Sequence, residues 1–235
     1  MPGVQVCYTP LQYPLFRNDE DIVVVIDILR ATSAMVTAIA HGAAGVIPVA
    51  KVEEARALAG KGYILAAERD GRVVEGFDYG NSPFSFMGDS IRGKTLVLST
   101  TNGTQAIEAA RNAHALIVGA FTNLSAVCEW LSRQGRGVLL LCAGWKNKFN
   151  LEDSIFAGAV AQKLLEQGYS TDCDSTRASV HLWNLSKHDL NGFLEDSSHR
   201  NRLGRLELKK DIAYCLQTDI SDAIPVLKND ILVKL

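Results

Sequence analysis

Five short stretches hold the residues whose types and spacing can do chemistry. In Asp27-Ile28-Leu29-Arg30-Ala31-Thr32-Ser33 a carboxylate precedes a guanidinium by three residues and two hydroxyls by five and six. Asp27 is a candidate metal ligand or base, and Arg30 offers phosphate a forked, permanently charged donor. Thr32 and Ser33 are placed to cap a helix, whose N-terminus attracts anions. Ser99-Thr100-Thr101-Asn102-Gly103-Thr104 packs hydroxyls, an amide and a glycine into a loop whose main-chain N–H groups can converge on an anion. It is not a Walker loop, which needs G-x-x-x-x-G-K-[ST]. A third stretch runs from Gly144 to Glu152-Asp153, where acids open a helix and suit its dipole; one of them can instead turn to hold a hard cation. Glu68-Arg69 adds a carboxylate beside a cation. Gly76-Phe77-Asp78-Tyr79-Gly80-Asn81-Ser82-Pro83 is a glycine-punctuated turn offering the Asn81 amide and the Ser82 hydroxyl.

Asp27, Glu68 and the Glu152-Asp153 pair supply carboxylates with no histidine partner. Magnesium suits that set, because it takes one or two protein carboxylates and keeps waters for itself and a phosphate. The hydroxyl-rich loops and Arg30 suit the phosphate. Together these residues point to metal-assisted phosphoryl chemistry.

The elements that must position them follow from the apolar pattern. Unbroken apolar runs recur at 22–26, 45–49, 63–67, 95–98, 115–118 and 138–141, and helix-like stretches lie between them at 33–41, 53–59, 104–112, 125–133 and 153–167. Strands without period-two alternation are buried on both faces, and alternation with helices predicts an α/β fold with mainly parallel sheets flanked by helices. Asp27, Glu68, Ser99 and Gly144 all fall just after such runs, where open α/β sheets bind ligands. Sliding the sequence by 70 lays residues 40–50 over 110–120 and Thr32-Ser33 over Asn102-Gly103, which suggests two similar β-loop-α-β-α units. The chain reads as one compact α/β unit over 1–235 with candidate lobes 1–92 and 93–235. Residues 172–206 are polar and weakly periodic, a short helix and an excursion. A helical run at 209–218 and a strand-like end after Pro225 follow.

Composition sets the outer limits. With 235 residues and 47% hydrophobic content the chain has ample core, and 24 basic against 26 acidic side chains give it no basic face for nucleic acid. The start shows neither the basic nor the apolar region of a signal peptide. The longest run without Asp, Glu, Lys or Arg, 31–50, is broken by polar, Gly and Pro residues and predicts a buried helix entering a strand, with no membrane partner. Five scattered cysteines without a C-x-x-C pair read as reduced thiols of a cytoplasmic protein. The near-neutral charge argues neither for nor against a homo-oligomer. His181, His188 and His199 show no metal-ligand spacing and read as surface residues.

The strings VVVIDILRATS, AER followed by GFDYGNSP, LSTTNGTQA, and CAG with LEDSIFAGA, together with the tail SSHRNRLGRLELKKDIAYCLQTD, resemble the 2-phosphosulfolactate phosphatase family in order and spacing over nearly the whole chain. The resemblance implies a family-specific α/β fold with two similar lobes. It also implies a magnesium-dependent hydrolase that removes phosphate from 2-phospho-3-sulfolactate, a step toward coenzyme M. One departure is visible: Ala67 stands where the family pattern has Gly before Glu-Arg, which matters only if that position needs positive φ.

On this reading Mg²⁺ is bound by Asp27, with Glu68 and Asp153 as further ligands or as partners of ligands, and bridges the phosphate oxygens. Thr100, Thr101, Asn102, Gly103 and Thr104 hold the phosphate with Arg30, and Thr32, Ser33, Asn81, Ser82 and Gly144 complete the substrate site. A metal-oriented water attacks in line, and a strand-end carboxylate takes its proton. The substrate is a small phosphorylated anion whose sulfonate and carboxylate need cations, for which Arg69, Lys146, Lys148 and Arg177 are candidates. Covalent routes fit less well. A D-x-D nucleophile fails because Leu29 follows Asp27 by two, and a C-x5-R motif fails because Lys148 stands six beyond Cys142. A pure anion binder gains nothing from several acids beside its ligand.

Overall fold

Alternating apolar strands and helices assemble here into one twisted sheet. The computed structural model describes residues 1–69, 71–204 and 208–235. The strands are β1 (Val4–Cys7), β2 (Ile22–Ile26), β3 (Gly45–Val49), β4 (Ile64–Arg69), β5 (Arg72–Val73), β6 (Thr95–Ser99), β7 (Ala115–Gly119), β8 (Val138–Cys142), β9 (Pro225–Lys228) and β10 (Ile231–Lys234). They lie in the order β1-β8-β2-β7-β9-β10-β3-β6-β4-β5. Two parallel groups, β1-β8-β2-β7 and β3-β6-β4, are joined by the antiparallel hairpin β9–β10, and β5 closes the far edge antiparallel to β4. The helices are α1 (Tyr13–Phe16), α2 (Ala31–Ala40), α3 (Val52–Arg56), α4 (Gly103–Ala109), α5 (Leu124–Ser132), α6 (Leu151–Glu166), α7 (Asp174–Ser186), α8 (Leu190–Phe193), α9 (Ser198–Gly204) and α10 (Lys209–Cys215). The mostly parallel sheet flanked by helices is the predicted fold class.

The interior of the sheet is continuous apolar sequence, as burial on both faces demands: every residue of β2 and β8 is buried. α2 is buried from Ala31 to Ile39, since it packs against β3, β7 and β9 at once. A helix enclosed on all sides needs apolar or small residues all round, which is why its sequence carries no charge.

The repeat takes a specific form. β2-α2-β3 and β6-α4-β7 are equivalent units that exchange strands: β7 pairs with β2, Val24 opposite Ile117, and β3 pairs with β6, Ile47 opposite Val97. β3 and β7 stand at the 70-residue offset read from the sequence. The helix starts are offset by 72, so Ala31 matches Gly103 and Thr32 matches Thr104 rather than Asn102. A twisted sheet is a saddle whose diagonally opposite corners bend toward the same face. The segments after β2 and β6 meet, Gly103 lying against Ala31 and Asp27, although five strand-to-strand steps separate the two strands in the sheet order.

The C-terminal third is more helical than its sequence suggests. Residues 172–206 contain α7, α8 and α9 in place of one short helix; residues 205 and 206 lie outside the described residues. Ser, Asn and His depress helix propensity and hide the periodicity, while Ser179 and Ser186 are buried as small packing residues.

Candidate active site

The segments that follow β2 and β6 and the end of β4 enclose a cleft lined by Asp27, Leu29, Arg30, Glu68, Gly71, Asn81, Thr100, Thr101, Asn102, Trp145, His199, Arg202 and Leu203. The first ten come from the stretches singled out in the sequence or from residues next to them, although Trp145 was not itself named as a candidate. Asp27 directly follows β2, and its Oδ1 accepts the Ala31 N–H at 3.4 Å. Burial, reinforced by Glu68 and Glu152 and offset by His199 and the Ala31 amide, pushes its pKa from 3.8 up to about 6. The close meeting of the two repeat units is visible at Gly103, where a Cβ would lie 2.7 Å from the Ala31 Cβ and 2.8 Å from Asp27 Oδ2. Only glycine lets the α4 backbone approach the carboxylate this closely.

Glu68 is held from two sides: Oε1 accepts the Gly71 N–H, and Oε2 accepts from Asn81 Nδ2 at 3.1 Å. Asn81 is itself buried, and its Oδ1 has no hydrogen-bond partner among the described residues. Buried polar atoms are nearly always satisfied, so this oxygen marks a place for a donor or a cation. Ala67, before Glu68, takes no positive φ and is buried in β4. Its methyl is therefore tolerated.

Arg30 is buried, and its guanidinium is fixed by an ion pair with Asp211 of α10. The main-chain N–H groups of Thr101 and Asn102 have no acceptor among the described residues, which leaves them available to an anion. Asn102 Oδ1 accepts the Lys146 N–H at 3.2 Å and ties this loop to the one after β8.

Several predicted site residues do not line the cleft but build it. Thr32 and Ser33 leave the α2 N-terminus without a side-chain cap. Thr32 Oγ1 instead accepts the Asp27 N–H at 3.0 Å, and Ser33 Oγ donates to the Ile28 carbonyl at 2.9 Å. Thr104 mirrors Thr32, exchanging hydrogen bonds with Thr100 across the start of α4. Asp153 is buried with both oxygens engaged, Oδ1 by the Ile28 N–H at 2.9 Å and Oδ2 by the Gly144 N–H at 3.2 Å. Burial, then Glu152 and Asp27, push its pKa well above the ordinary carboxylate range. Gly144 adopts φ 61°, and a Cβ there would collide with the Lys148 carbonyl. The Arg69 guanidinium braces strand ends, donating to the Glu68 carbonyl at 2.7 Å and to Ser99 Oγ at 3.0 Å. Ser82 is half-buried beside Asn81, and Arg177 is exposed on α7, donating to the Thr171 carbonyl at 3.2 Å.

The sequence reading missed Trp145, His199 and Arg202. His199 is buried, not a surface residue: its Nδ1 pairs with the buried Glu152 carboxylate, and Asn150 Nδ2 stands 3.3 Å from the same nitrogen. The Arg202 guanidinium carbon sits 4.2 Å from the Trp145 ring centroid, and Lys146 Nζ lies 4.9 Å from it. His199, Arg202 and Leu203, at i, i+3 and i+4, present one face of α9 to the cleft. That spacing was available in the sequence, although the polar surroundings masked it. Cys142 ends β8 fully buried, and burial, with Asp153 nearby, pushes its thiol well above the usual range; a thiolate nucleophile is not formed there.

Among the described residues no three His, Cys, Asp or Glu side chains form a ready-made metal cluster. Magnesium needs only one or two protein carboxylates. Asp27, Glu68 and the unpartnered Asn81 Oδ1 make an all-oxygen donor set of the kind it takes. No helix among the described residues is long and apolar enough to cross a membrane.

Carboxylates, main-chain amides without an acceptor among the described residues and a buried guanidinium thus line one cleft beside the C-terminal ends of parallel strands, a donor set of the kind that suits a phosphate group. The family model for 2-phosphosulpholactate phosphatase matches residues 7–230. A protein of Thermotoga petrophila named "Probable 2-phosphosulfolactate phosphatase" is 41% identical over 210 residues, covering 89% of this chain and 90% of that one. Proteins of the same name from Caldanaerobacter subterraneus subsp. tengcongensis and Thermotoga maritima are 38% identical over 222 residues and 40% over 210, the matches covering 91% and 89% of this chain and 92% and 90% of theirs. The chain belongs to the 2-phosphosulfolactate phosphatase family, and as such it is a phosphoric monoester hydrolase.

Proposed function

We propose that this chain hydrolyses 2-phospho-3-sulfolactate to 3-sulfolactate and phosphate with the help of magnesium, a step of the kind that leads toward coenzyme M. The observation that carries the reading is that two buried carboxylates, Asp27 and Glu68, line one cleft with Asn81, whose oxygen is unpartnered among the described residues, and with Thr101 and Asn102, whose amides have no acceptor among them. A site for an anion alone would not place acids there.

Asp27, Glu68 and Asn81 Oδ1 would hold the ion, which supplies charge neutralisation at the phosphate oxygens and acidifies a water. The Asn81 side chain has two tasks on this reading, since its Nδ2 orients Glu68 while its buried Oδ1 is left without a partner among the described residues. Arg30, fixed through Asp211, and the amides of Thr101 and Asn102 bind phosphate oxygens and offset charge developed in transfer. The attacking water loses its proton to a strand-end carboxylate. Asp153 shapes the site by locking the loops after β2 and β8 together through two amides. Arg202, stacked on Trp145, is placed for the second acidic group of the substrate.

The test is inorganic phosphate release from a panel of phosphorylated hydroxy acids, with EDTA and with added Mg²⁺. Release from 2-phospho-3-sulfolactate, lost on chelation and restored by Mg²⁺, is the expected result. Turnover confined to another member of the panel would overturn the substrate, and turnover indifferent to chelation would overturn the metal.

A further inference from the structure

The geometry points to His199 as a catalytic acid that protonates the leaving oxygen, with Glu152 as its positioning residue. Resting on the phosphatase reading, this assigns a role to a pair that the carboxylate-and-phosphate scheme leaves unused. Four observations support it. Glu152 is fully buried yet is not among the residues lining the cleft, so it has no access to substrate. Its Oε1 pairs with His199 Nδ1, while its Oε2 has no hydrogen-bond partner among the described residues. Its carboxylate thus acts only through the imidazole. His199 does line the cleft, and its Nε2 likewise has no partner among the described residues, so the ring's second nitrogen is the one available to a ligand. Finally, the pair joins two elements distant in sequence, α6 and α9. A carboxylate that fixes Nδ1–H and leaves Nε2 toward the reacting atoms is the arrangement by which an acid orients an imidazole for proton transfer.

The chemistry requires such a group. The substrate is an alkyl phosphate, and its alkoxide is a poor leaving group unless protonated. As the water oxygen bonds to phosphorus, the P–O bond to the substrate carbon breaks. Its electron pair goes to the ester oxygen, which takes the proton from Nε2 of the imidazolium. The attacking water's proton leaves to solvent through a strand-end carboxylate, and the ring, left neutral with Nδ1–H on Glu152, is recharged from solvent. The charged groups around the ring are Glu152 from α6, Asp27 and Arg30 from the end of β2, Glu68 from β4 and Arg202 from its own helix.

The experiment compares wild type, His199→Gln and Glu152→Gln on 2-phospho-3-sulfolactate and on p-nitrophenyl phosphate, whose phenolate leaves without help. General-acid catalysis contributes about 10²–10⁴-fold. His199→Gln is therefore expected to lose at least 100-fold in kcat on the alkyl ester and no more than about tenfold on the aryl ester, with Glu152→Gln losing less in the same pattern. The kcat–pH profile on the alkyl ester supplies a second readout. Its high-pH limb is expected in wild type and absent from His199→Gln. Equal losses on both esters, or a high-pH limb that survives the substitution, would overturn the role. Wild type inert toward 2-phospho-3-sulfolactate would instead overturn the substrate reading. In that case the same comparison runs on whichever alkyl ester the enzyme turns over.

Discussion

Asp27→Asn tests whether the fold bears a cost to keep a carboxylate in the cleft. Burial raises the Asp27 pKa from 3.8 to about 6, and a tenfold change in proton affinity is about 1.4 kcal/mol. Ionised Asp27 thus costs the metal-free fold about 3 kcal/mol at pH above 7. The folded value exceeds the unfolded one, so this group's stabilising contribution is fully present below pH 3.8 and is lost as pH rises through 6. Asparagine cannot ionise, and its oxygen can still accept the 3.4 Å bond from the Ala31 N–H. In EDTA, then, the variant should exceed wild type by about 3 kcal/mol at pH 7.5 and converge with it near pH 4, while turnover falls to background. Asp153, whose pKa Asp27 helps to raise, is relieved by the same substitution, which adds to the difference with the same sign. Urea unfolding followed by tryptophan fluorescence at several pH values measures this directly. Mg²⁺ at a thousand times its Kd should then invert the order, because it adds about 4.1 kcal/mol to the protein that binds it. Parallel stability–pH curves in EDTA, or equal stabilisation of both proteins by Mg²⁺, would refute the reasoning.

Other outcomes follow from the same contacts. Gly103→Ala forces a methyl against Ala31 and Asp27 Oδ2, so urea unfolding should show a loss of about 1–3 kcal/mol, and kcat/KM should fall about 10²-fold as the carboxylate is displaced. Asp211→Asn leaves the buried Arg30 guanidinium without its countercharge. Stability should drop by about 3–5 kcal/mol, and KM should rise more than kcat falls. Iodoacetamide at pH 7.5 should leave activity intact. Burial pushes Cys7 to about 11 and Cys128 and Cys215 to about 12, whereas at half-buried Cys173 burial is outweighed by hydrogen bonds with Ser175 and Thr176 that lower its thiol. Peptide mass spectrometry should therefore find the label at Cys173.

Strand ends were legible because strands buried on both faces announce themselves as apolar runs, so the first polar residue after each run marks an edge where ligands bind. That logic located Asp27, Glu68, Thr100, Thr101 and Asn102, all of which line the cleft. It could not tell a side chain facing the cleft from one turned back into the loop. Thr32, Ser33 and Asp153 have the right chemistry at the right place, but a neighbouring amide or carbonyl engages each of them, and those partners are fixed by tertiary packing. His199 and Arg202 were illegible for a different reason. They reach the cleft from a helix about 100 residues beyond the last parallel-sheet loop in the β6 corner, and their approach depends on α9 docking rather than on any strand-end rule. The four-residue β1 and two-residue β5 are too short to carry a pattern.

The strand exchange explains why the two halves of the cleft can differ. Because β2 pairs with β7 and β3 with β6, neither repeat unit completes its own share of the sheet, and the two helix starts are held face to face at Ala31 and Gly103. Both units keep the hydroxyl that closes the loop, Thr32 on the Asp27 amide and Thr104 on the Thr100 amide. Between those matching anchors the sequences diverge: the first unit offers Asp27 and Arg30, and the second offers Thr100, Thr101 and Asn102. A pair of identical charged loops would set carboxylate against carboxylate at the contact, with a repulsion that burial strengthens. Charge confined to one loop and neutral donors to the other allows a cation and an anion to be seated side by side, which is the arrangement metal-assisted phosphate hydrolysis needs.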